Sequence, residues 1–338
     1  MNADRHEAAF WKPADGGAVD CFLCGHRCRI APGKRGVCRV RENAGGRLET
    51  LVYGRLITAH VDPIEKKPLH HFLPGSLSYS IAAVGCNFQC GFCQNWQISQ
   101  WPRRAAGEMP GDPASPEAIV EAARGRRCAS VSYTYTEPTI FYEYARDTAV
   151  LARKAGLKNV FVTNGFMTAE ALQEMAAWLD AANVDLKAWS DDFYRRVCKG
   201  RLEPVKETIR RMHAAGIHVE VTTLLVTGQN DSAGDLKGIA GFLASVSPDL
   251  VWHVSRYHPD FEMSEPPTSL EMIDRAVRIG REAGLRYVYG GNIAGHCDTE
   301  CPSCGETVIR RAGLAVLSMN LRGAACGKCG AGLPIVVA

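Results

Sequence analysis

Short apolar segments alternate with longer amphipathic segments through the middle of the chain. Seven apolar segments have the length and composition of strands: residues 77–84, 130–135, 159–163, 184–186, 218–225, 250–254 and 286–289. The segments between them carry helix signals, such as Ser115 before Pro116 at a helix start and Gly156 and Gly216 at helix ends. This alternation predicts an α/β fold built on a parallel sheet or partial barrel.

Polar and glycine-rich residues follow several of these predicted strands. Because such folds place their chemistry at the carboxyl ends of parallel strands, we expect one edge of the sheet to carry the functional site. The candidate binding residues on this edge are Glu137, Thr163, Asn164, Asp185, Lys187, His253 and Arg256.

The overall composition is that of an ordinary globular protein. The 338 residues include 39 Lys and Arg against 36 Asp and Glu, and 46% of the chain is hydrophobic. These values argue against a strongly basic nucleic-acid binder and against a disordered chain. The sequence also lacks the pattern of a secretory signal or a membrane span, so we expect a cytoplasmic protein with no membrane partner. In a reducing compartment, clustered cysteines are metal ligands more often than disulfides.

Eleven of the 14 cysteines fall into three groups. These are Cys21, Cys24, Cys28 and Cys38, then Cys86, Cys90 and Cys93, and finally Cys301, Cys304, Cys326 and Cys329. The last group is two C-x2-C pairs, which is typical of a closed four-thiolate zinc site. Zinc and a second, electron-relaying iron–sulfur cluster both fit the first group, and its complete ligand set favours zinc. Of the other three, Cys297 is predicted to be a spare cysteine and Cys128 a core thiol, while Cys198 is predicted to be a core or surface cysteine, with a thiol near the substrate as the alternative.

These groups suggest three parts of the chain. We expect an N-terminal cysteine-rich metal-binding module at residues 1–72 and an α/β domain at 73–296. A zinc-ribbon-like module follows at 297–338, where bound metal would replace the core that so short a segment cannot build.

The middle group contains three cysteines within eight residues, directly after the first predicted strand. A cubane [4Fe–4S] cluster normally takes four cysteines, so three would leave one iron open to an exchangeable ligand. A structural zinc site is the alternative, but zinc would require a fourth ligand here.

The C-x3-C-x2-C motif of Cys86, Cys90 and Cys93 after the first strand resembles the signature of the radical S-adenosylmethionine (SAM) enzymes. The resemblance implies a partial (βα)6-type barrel and a [4Fe–4S] cluster whose open iron chelates SAM. It further implies an electron donor such as flavodoxin or ferredoxin. Reductive cleavage of SAM then gives methionine and a 5′-deoxyadenosyl radical that abstracts hydrogen from a substrate.

The same resemblance implies roles for the candidate residues. Glu137 occupies the place of the family's Gly-Gly-Glu segment, which holds the SAM ammonium, although an acid stabilising the next helix is the alternative. Thr163-Asn164 and Asp185-Leu186-Lys187 are similar to segments of the glycyl-radical-enzyme activating enzymes, with Val162 in place of an aspartate. There Lys187 would contact a carboxylate, and a simple salt bridge with Asp185 is the alternative.

Two further candidates, His253 and Arg256, would contact SAM or substrate. A buried histidine that serves only the structure is the alternative for His253.

Over almost its full length the chain resembles the AmmeMemoRadiSam system enzymes, relatives of pyruvate formate-lyase activating enzyme. The residues that carry the resemblance include the Cys-Phe-Leu-Cys-Gly-His-Arg-Cys run from Cys21, the run from Asp62 to Gly75, and Tyr133 to Thr139. It implies association with AMMECR1-like and Memo-like proteins. Three hypotheses follow: a radical SAM enzyme acting on a protein or peptide, one modifying RNA, and a non-enzymatic metal scaffold.

Overall fold

The N-terminal part of the chain folds into two small antiparallel sheets in the computed structural model, which describes residues 6–105, 107–293 and 297–337. The six strands are β1 (His6–Glu7), β2 (Trp11–Pro13), β3 (Val19–Cys21), β4 (Arg29–Ile30), β5 (Arg41–Ala44) and β6 (Arg47–Thr50). Their order is β1-β6-β5 in one sheet and β2-β3-β4 in the other. A short 3-10 helix at Asp15–Gly17 joins β2 to β3.

The centre of the molecule is a sheet of eight strands. Two short strands, β7 (Arg55–Leu56) and β10 (Asp112–Pro113), pair separately beside it. The strands of the main sheet are β8 (Thr58–Pro63), β9 (Leu77–Ala82), β11 (Ser130–Tyr133), β12 (Lys158–Thr163), β13 (Ala181–Asp185), β14 (His218–Leu225), β15 (Val251–Arg256) and β16 (Val288–Gly291). Their order in the sheet follows the chain, so β8 and β16 lie at the two edges.

Seven of these strands, from β9 to β16, are parallel, and β8 is antiparallel to β9. Each of the seven predicted strand segments overlaps one of the parallel strands. The antiparallel strand β8 was not predicted, because it is largely half-buried and ends at Pro63, which weakens the alternating pattern of a strand.

Helices make the crossovers between successive parallel strands, so six strand–helix units precede β16. They are α1 (Trp96–Ser99), α2 (Trp101–Arg104), α3 (Pro116–Gly125), α4 (Tyr142–Lys154), α5 (Ala169–Met175), α6 (Asp191–Phe193), α7 (Leu202–Ala214), α8 (Ala233–Val246) and α9 (Leu270–Glu282). The predicted cap Ser115 accepts a hydrogen bond from the Ala118 amide, and Thr168, Ser232 and Ser269 cap α5, α8 and α9 in the same way. A parallel sheet requires such crossovers.

The amino ends of the strands are covered by the segment between β8 and β9. It contains a 3-10 helix at Ile64–Lys66, and its Leu69 and Phe72 pack with Val160 and Ala181 at the starts of β12 and β13. The predicted boundary at residue 72 therefore falls inside this covering segment. The boundary predicted at residue 296 lies outside the described residues.

The C-terminal part of the chain contains five short strands: β17 (Thr299–Glu300), β18 (Thr307–Ala312), β19 (Ala315–Met319), β20 (Leu321–Arg322) and β21 (Ala325–Cys326). It contacts the covering segment through Val336, whose amide donates to the His71 carbonyl and whose carbonyl accepts from the Leu73 amide, each at 2.7 Å. Within the described ranges, no helix has the length and apolar character needed to cross a bilayer.

Candidate active site

A cavity of about 500 Å³ opens at the carboxyl ends of the parallel strands. Many of the predicted site residues line it together: Cys86, Cys90, Cys93, Glu137, Asn164, Asp185 and Lys187. Thr163 lies directly behind this wall, where its hydroxyl donates to Glu137 at 2.7 Å. His253 and Arg256 do not belong to this wall, as described below.

The three cysteines lie on a tight loop that follows β9. Gly85 begins the loop with a φ of 105°, and a side chain there would come within 2.8 Å of Val40 Cγ1, so this position requires glycine. The amide of Phe88 donates to Cys86 Sγ at 3.3 Å, and Cys93 Sγ lies 3.2 Å from Ser99 Oγ. These contacts hold the sulfur atoms at the cavity wall.

The surroundings of the three cysteines disfavour thiolates that have no positively charged partner. Burial, together with the Glu137 carboxylate, raises the pKa of Cys86, and burial likewise raises the pKa of Cys93. Thiolates here need a positive partner, which the irons of a cluster would supply. Among the described residues lining the cavity, these three are the only cysteines, so the set fits a cluster with one open iron.

Glu137 is fully surrounded by donors from its own chain. Its Oε1 accepts from the Thr139 amide at 3.0 Å and from the hydroxyls of Thr139 and Thr163 at 2.6 and 2.7 Å. Its Oε2 accepts from the Asn164 amide at 2.8 Å. Although these bonds oppose it, burial raises the pKa of Glu137. The carboxylate is thus held rigidly at the cavity wall, with Oε2 the less occupied oxygen.

Lys187 and Asp185 form an ion pair in the cavity wall. Lys187 Nζ donates to Asp185 Oδ2 at 3.0 Å, and its side chain is 13% exposed. Burial alone would lower the pKa of Lys187, but the carboxylate of Asp185 and the neighbouring Cys90 raise it well above its usual value. The salt bridge between Lys187 and Asp185 that the sequence suggested as an alternative is therefore present. The Lys187 ammonium also faces the cysteine loop.

Cys198, for which a core or surface position was the favoured prediction, lies against the cysteine loop. A π-helical turn at Tyr194–Cys198 carries it, and the Cys198 carbonyl accepts from the Gln89 amide at 2.9 Å. A hydrogen bond with Cys198 and burial together raise the pKa of Cys90. Such turns are frequent at functional sites.

The cavity wall also carries a second charged cluster, which the sequence did not predict. Lys67 Nζ donates to Asp62 Oδ2 at 2.6 Å and lies 4.5 Å from the centre of the Tyr135 ring, while Lys66 donates to Asp62 Oδ1 at 2.8 Å. Burial lowers the pKa of Lys67 to about 8 despite the Asp62 carboxylate. The sequence feature that could have indicated this cluster is the charged run from Asp62 to Lys67. This run is part of the family resemblance, but the resemblance implies no role for its charged residues.

His253, in the middle of β15, belongs to a buried polar network around Glu220. Its Nε2 is 2.6 Å from Glu220 Oε2, and the same carboxylate accepts from the amides of His70 and His71 at 2.9 and 2.7 Å. His253 lines a neighbouring cavity of about 410 Å³, which shares Lys66 and Ser255 with the cysteine cavity. Arg256 Nε donates to the Thr268 carbonyl at 2.7 Å. His253 and Arg256 thus lie outside the lining of the cysteine cavity, and their roles in SAM or substrate binding stay predictions.

The C-terminal cysteines form a compact group. The sulfur atoms of Cys301, Cys304, Cys326 and Cys329 all lie within 4.8 Å of one another. Cys301 and Cys329 are 3.7 Å apart and Cys304 and Cys326 are 3.8 Å apart, measured between sulfur atoms. This group could hold one metal ion.

The N-terminal cysteines lie on segments that contact the loop of the cavity. Cys21 and Cys38 are buried, whereas Cys24 and Cys28 are half-buried. Burial raises the pKa of Cys24, and the charges of the other three cysteines add to this effect. Four mutually interacting sulfurs in one small module fit a metal centre.

Comparison with known proteins identifies the family. The model of the radical SAM superfamily matches residues 80–243. The uncharacterized protein MJ0808 of Methanocaldococcus jannaschii is 42% identical over 337 residues, which cover 98% of this chain and 99% of that protein. The chain belongs to the radical SAM superfamily. This superfamily is one of enzymes, and its domain implies SAM, a [4Fe–4S] cluster and a reducing partner.

Two solved structures share the radical SAM fold. A radical SAM methyltransferase from Sphaerobacter thermophilus has a TM-score of 0.51 at 18% identity, covering 67% of this chain and 70% of that chain. SuiB of Streptococcus suis bound to S-adenosylmethionine has a TM-score of 0.51 at 13% identity, covering 68% and 53%. These likenesses show that the fold is α/β and of the radical SAM type.

Proposed function

We propose that the cavity at the carboxyl ends of the strands is the SAM-cleavage site of an enzyme acting on a protein or peptide, as a glycyl-radical-enzyme activating enzyme does. The observation that carries the proposal is the three-cysteine wall, which has no fourth cysteine among the described residues lining the cavity. Cys86, Cys90 and Cys93 would hold the [4Fe–4S] cluster and keep one iron free. When bound and reduced, that cluster supplies the electron that cleaves SAM.

The side chains around the cluster would orient SAM. Glu137 is adjacent to Cys86 and offers a buried acceptor for the SAM ammonium, whereas Lys187 is adjacent to Cys90 and offers a cation for the SAM carboxylate. The two groups lie on different parts of the same wall, as the two ends of a zwitterion require. Apolar lining by Phe88, Phe92 and Leu224 would keep water from a reactive radical.

The near-neutral charge of the chain supports a protein or peptide substrate. A formal net charge of +3 over 338 residues offers little general attraction for a polyanion such as RNA. We place the enzyme among the AmmeMemoRadiSam system enzymes on the motifs from Cys21 and from Asp62, and we propose AMMECR1-like and Memo-like proteins as its partners. Lys66 and Lys67 of the second motif line the proposed site, which supports its use in function.

The proposal also includes the division of the chain into domains and the metal at the C-terminal cysteines. The strands from β9 to β16 would form the partial barrel, with residues 1–72 and 297–338 as metal-binding modules. Zinc at Cys301, Cys304, Cys326 and Cys329 is supported by their sulfur separations, because a tetrahedral ion with Zn–S bonds of about 2.3 Å requires closely grouped sulfurs.

SAM cleavage tests the proposed function directly. Anaerobically reconstituted protein with SAM and dithionite should yield 5′-deoxyadenosine, measured by chromatography, and Cys90→Ala should abolish the yield. The matched control is Cys128→Ala, because Cys128 is also buried but lies outside the cavity lining. An equal yield from Cys90→Ala and the wild type would overturn the proposal. RNA that copurifies with a steep salt dependence would instead favour an RNA substrate.

A further inference from the structure

The sulfur atoms of the two four-cysteine groups are spaced differently. Among the described side chains, the C-terminal group alone brings three or more metal-ligating atoms within 4.8 Å of one another. The N-terminal cysteines do not meet this spacing, and neither do Cys86, Cys90 and Cys93 of the cavity. One tetrahedral ion draws four sulfurs together, whereas a cubane cluster places each cysteine on a different iron. The N-terminal group, like the cavity cysteines, therefore lacks the close sulfur grouping that a single tetrahedral ion requires.

The surroundings of the N-terminal sulfurs are cationic. Arg41 is buried, and its Nη1 lies 3.8 Å from Cys21 Sγ while the same guanidinium pairs with Glu143. Hydrogen bonds and positive charge near cysteine sulfurs tune the reduction potential of an iron–sulfur cluster. A buried arginine in contact with a ligand sulfur is therefore suited to a redox centre.

The N-terminal group also lies directly against the cysteine loop of the cavity. Arg103 Nη2 donates to the carbonyl of Val37, next to Cys38, at 2.7 Å and to the carbonyl of Cys86 at 2.8 Å. His26, between Cys24 and Cys28, lies 2.8 Å from the Asn87 carbonyl through its Nε2. One side chain from each part thus bridges the two ligand loops, so the two cysteine groups are neighbours in the fold.

We propose that Cys21, Cys24, Cys28 and Cys38 hold an iron–sulfur cluster that relays electrons to the cluster of Cys86, Cys90 and Cys93. The half-buried Cys24 and Cys28 place this centre near the surface, where a low-potential one-electron donor protein can reach it. The donor loses one electron to the N-terminal cluster, which returns to its oxidised state as the cavity cluster is reduced. The relay role rests on the proposed function, whereas the identity of the N-terminal metal does not.

Metal content of one full-length variant tests the inference. Cys86→Ala/Cys90→Ala/Cys93→Ala removes the cavity ligands, so after anaerobic reconstitution it should still hold about four irons and four sulfides per chain. It should also show an electron paramagnetic resonance (EPR) signal after reduction. About one zinc retained at the C-terminal cysteines checks that the variant is folded. A folded variant with no iron and about two zincs would overturn the inference.

A second measurement tests the relay. In Cys24→Ser/Cys28→Ser, reduction of the remaining cluster by reduced flavodoxin, followed by stopped-flow absorbance, should slow at least tenfold, while dithionite should still reduce it. An unchanged rate with flavodoxin would overturn the relay. Mössbauer spectra of the wild type should resolve about eight irons in two cluster environments, and about four irons in one environment would contradict the inference.

The two proposals fail in different ways. If the wild type does not cleave SAM but the triple cysteine variant keeps its iron, the proposed function and the relay fail while the N-terminal cluster stands. If the wild type cleaves SAM and the triple variant holds zinc in place of iron, only the present inference fails.

Discussion

The two ends of the sheet both gather polar residues, but they use them differently. At the carboxyl ends, Cys86, Glu137 and Lys187 line an open cavity. At the amino ends, Glu220 is saturated by His70, His71, His218 and His253, and the segment after β8 covers the network. Glu137 and Glu220 each accept four hydrogen bonds, but Glu137 lines the cysteine cavity whereas Glu220 is enclosed by its own network. A hydrogen-bonded carboxylate at a cavity wall can still meet a ligand, whereas an enclosed one serves the fold.

Removing the centre of the amino-end network should cause the largest change. Glu220→Ala leaves the His70 and His71 amides without acceptors in a buried site, so we expect the free energy of unfolding to fall by about 3–5 kcal/mol. Urea denaturation under anaerobic conditions measures it. The matched control is Glu203→Ala, whose 66% exposed side chain forms surface pairs worth less than about 1 kcal/mol. Equal losses of unfolding free energy in Glu220→Ala and Glu203→Ala would show that the buried network stabilises the fold no more than surface pairs do.

A change at the cavity should weaken SAM binding, and it should lower the free energy of unfolding less than Glu220→Ala does. Glu137→Gln puts an amide among donors and removes the charge offered to an ammonium, so SAM binding should weaken about 10- to 100-fold, which is about 1.4–2.8 kcal/mol. Equilibrium binding of SAM to the reconstituted protein measures this. Glu117→Gln, on the exposed face of α3, serves as the control and should bind SAM normally. Unchanged affinity in Glu137→Gln would contradict the role assigned to the cavity wall.

The amino-end histidines should make stability depend on pH. Burial lowers the pKa of His71 to about 3, and it lowers the pKa of His70 as well, whereas an unfolded histidine titrates near 6.5. Between about pH 3 and 6.5 the unfolded state therefore binds more protons, so stability falls as the pH drops through this window and is fully present above it.

Each such histidine should contribute about 1.4 kcal/mol per pH unit well inside that window. His71→Phe should reduce the slope of unfolding free energy against pH by this amount, measured by urea denaturation at several pH values. His213→Gln, on the exposed face of α7, should leave the slope unchanged. A slope that His71→Phe does not alter would show that other groups set the acid sensitivity.

The smallest effect is expected for Arg256. Its Nε is engaged by the Thr268 carbonyl and its side chain does not line the cysteine cavity. Arg256→Lys should therefore change the SAM dissociation constant less than about threefold, which is below about 0.7 kcal/mol. A tenfold loss of affinity would instead place Arg256 in the SAM site.

Much of this arrangement could be predicted from the sequence, because local patterns encode it. Strand-length apolar segments located all seven parallel strands, and the spacing of Cys86, Cys90 and Cys93 indicated the open ligand set. The sequence predicts the strand that carries His253 but not its partner, because alternation gives the face of a strand and not the distant residue, here Glu220, that it meets.

Contacts between distant segments could not be predicted. Asp62 meets Tyr135, and Cys198 meets the loop around Gln89, only after the chain folds. No periodicity records such pairs, and the covering segment between β8 and β9 lacks a repeating pattern of its own.

The most direct test of the central claim is EPR of the reduced, reconstituted protein with and without SAM. If the cluster of Cys86, Cys90 and Cys93 has an open iron that binds SAM, adding SAM should shift the EPR spectrum of the wild type, and Cys93→Ala should lack the SAM-sensitive signal. A wild-type spectrum that SAM leaves unchanged, or a SAM-sensitive signal that persists in Cys93→Ala, would contradict the account.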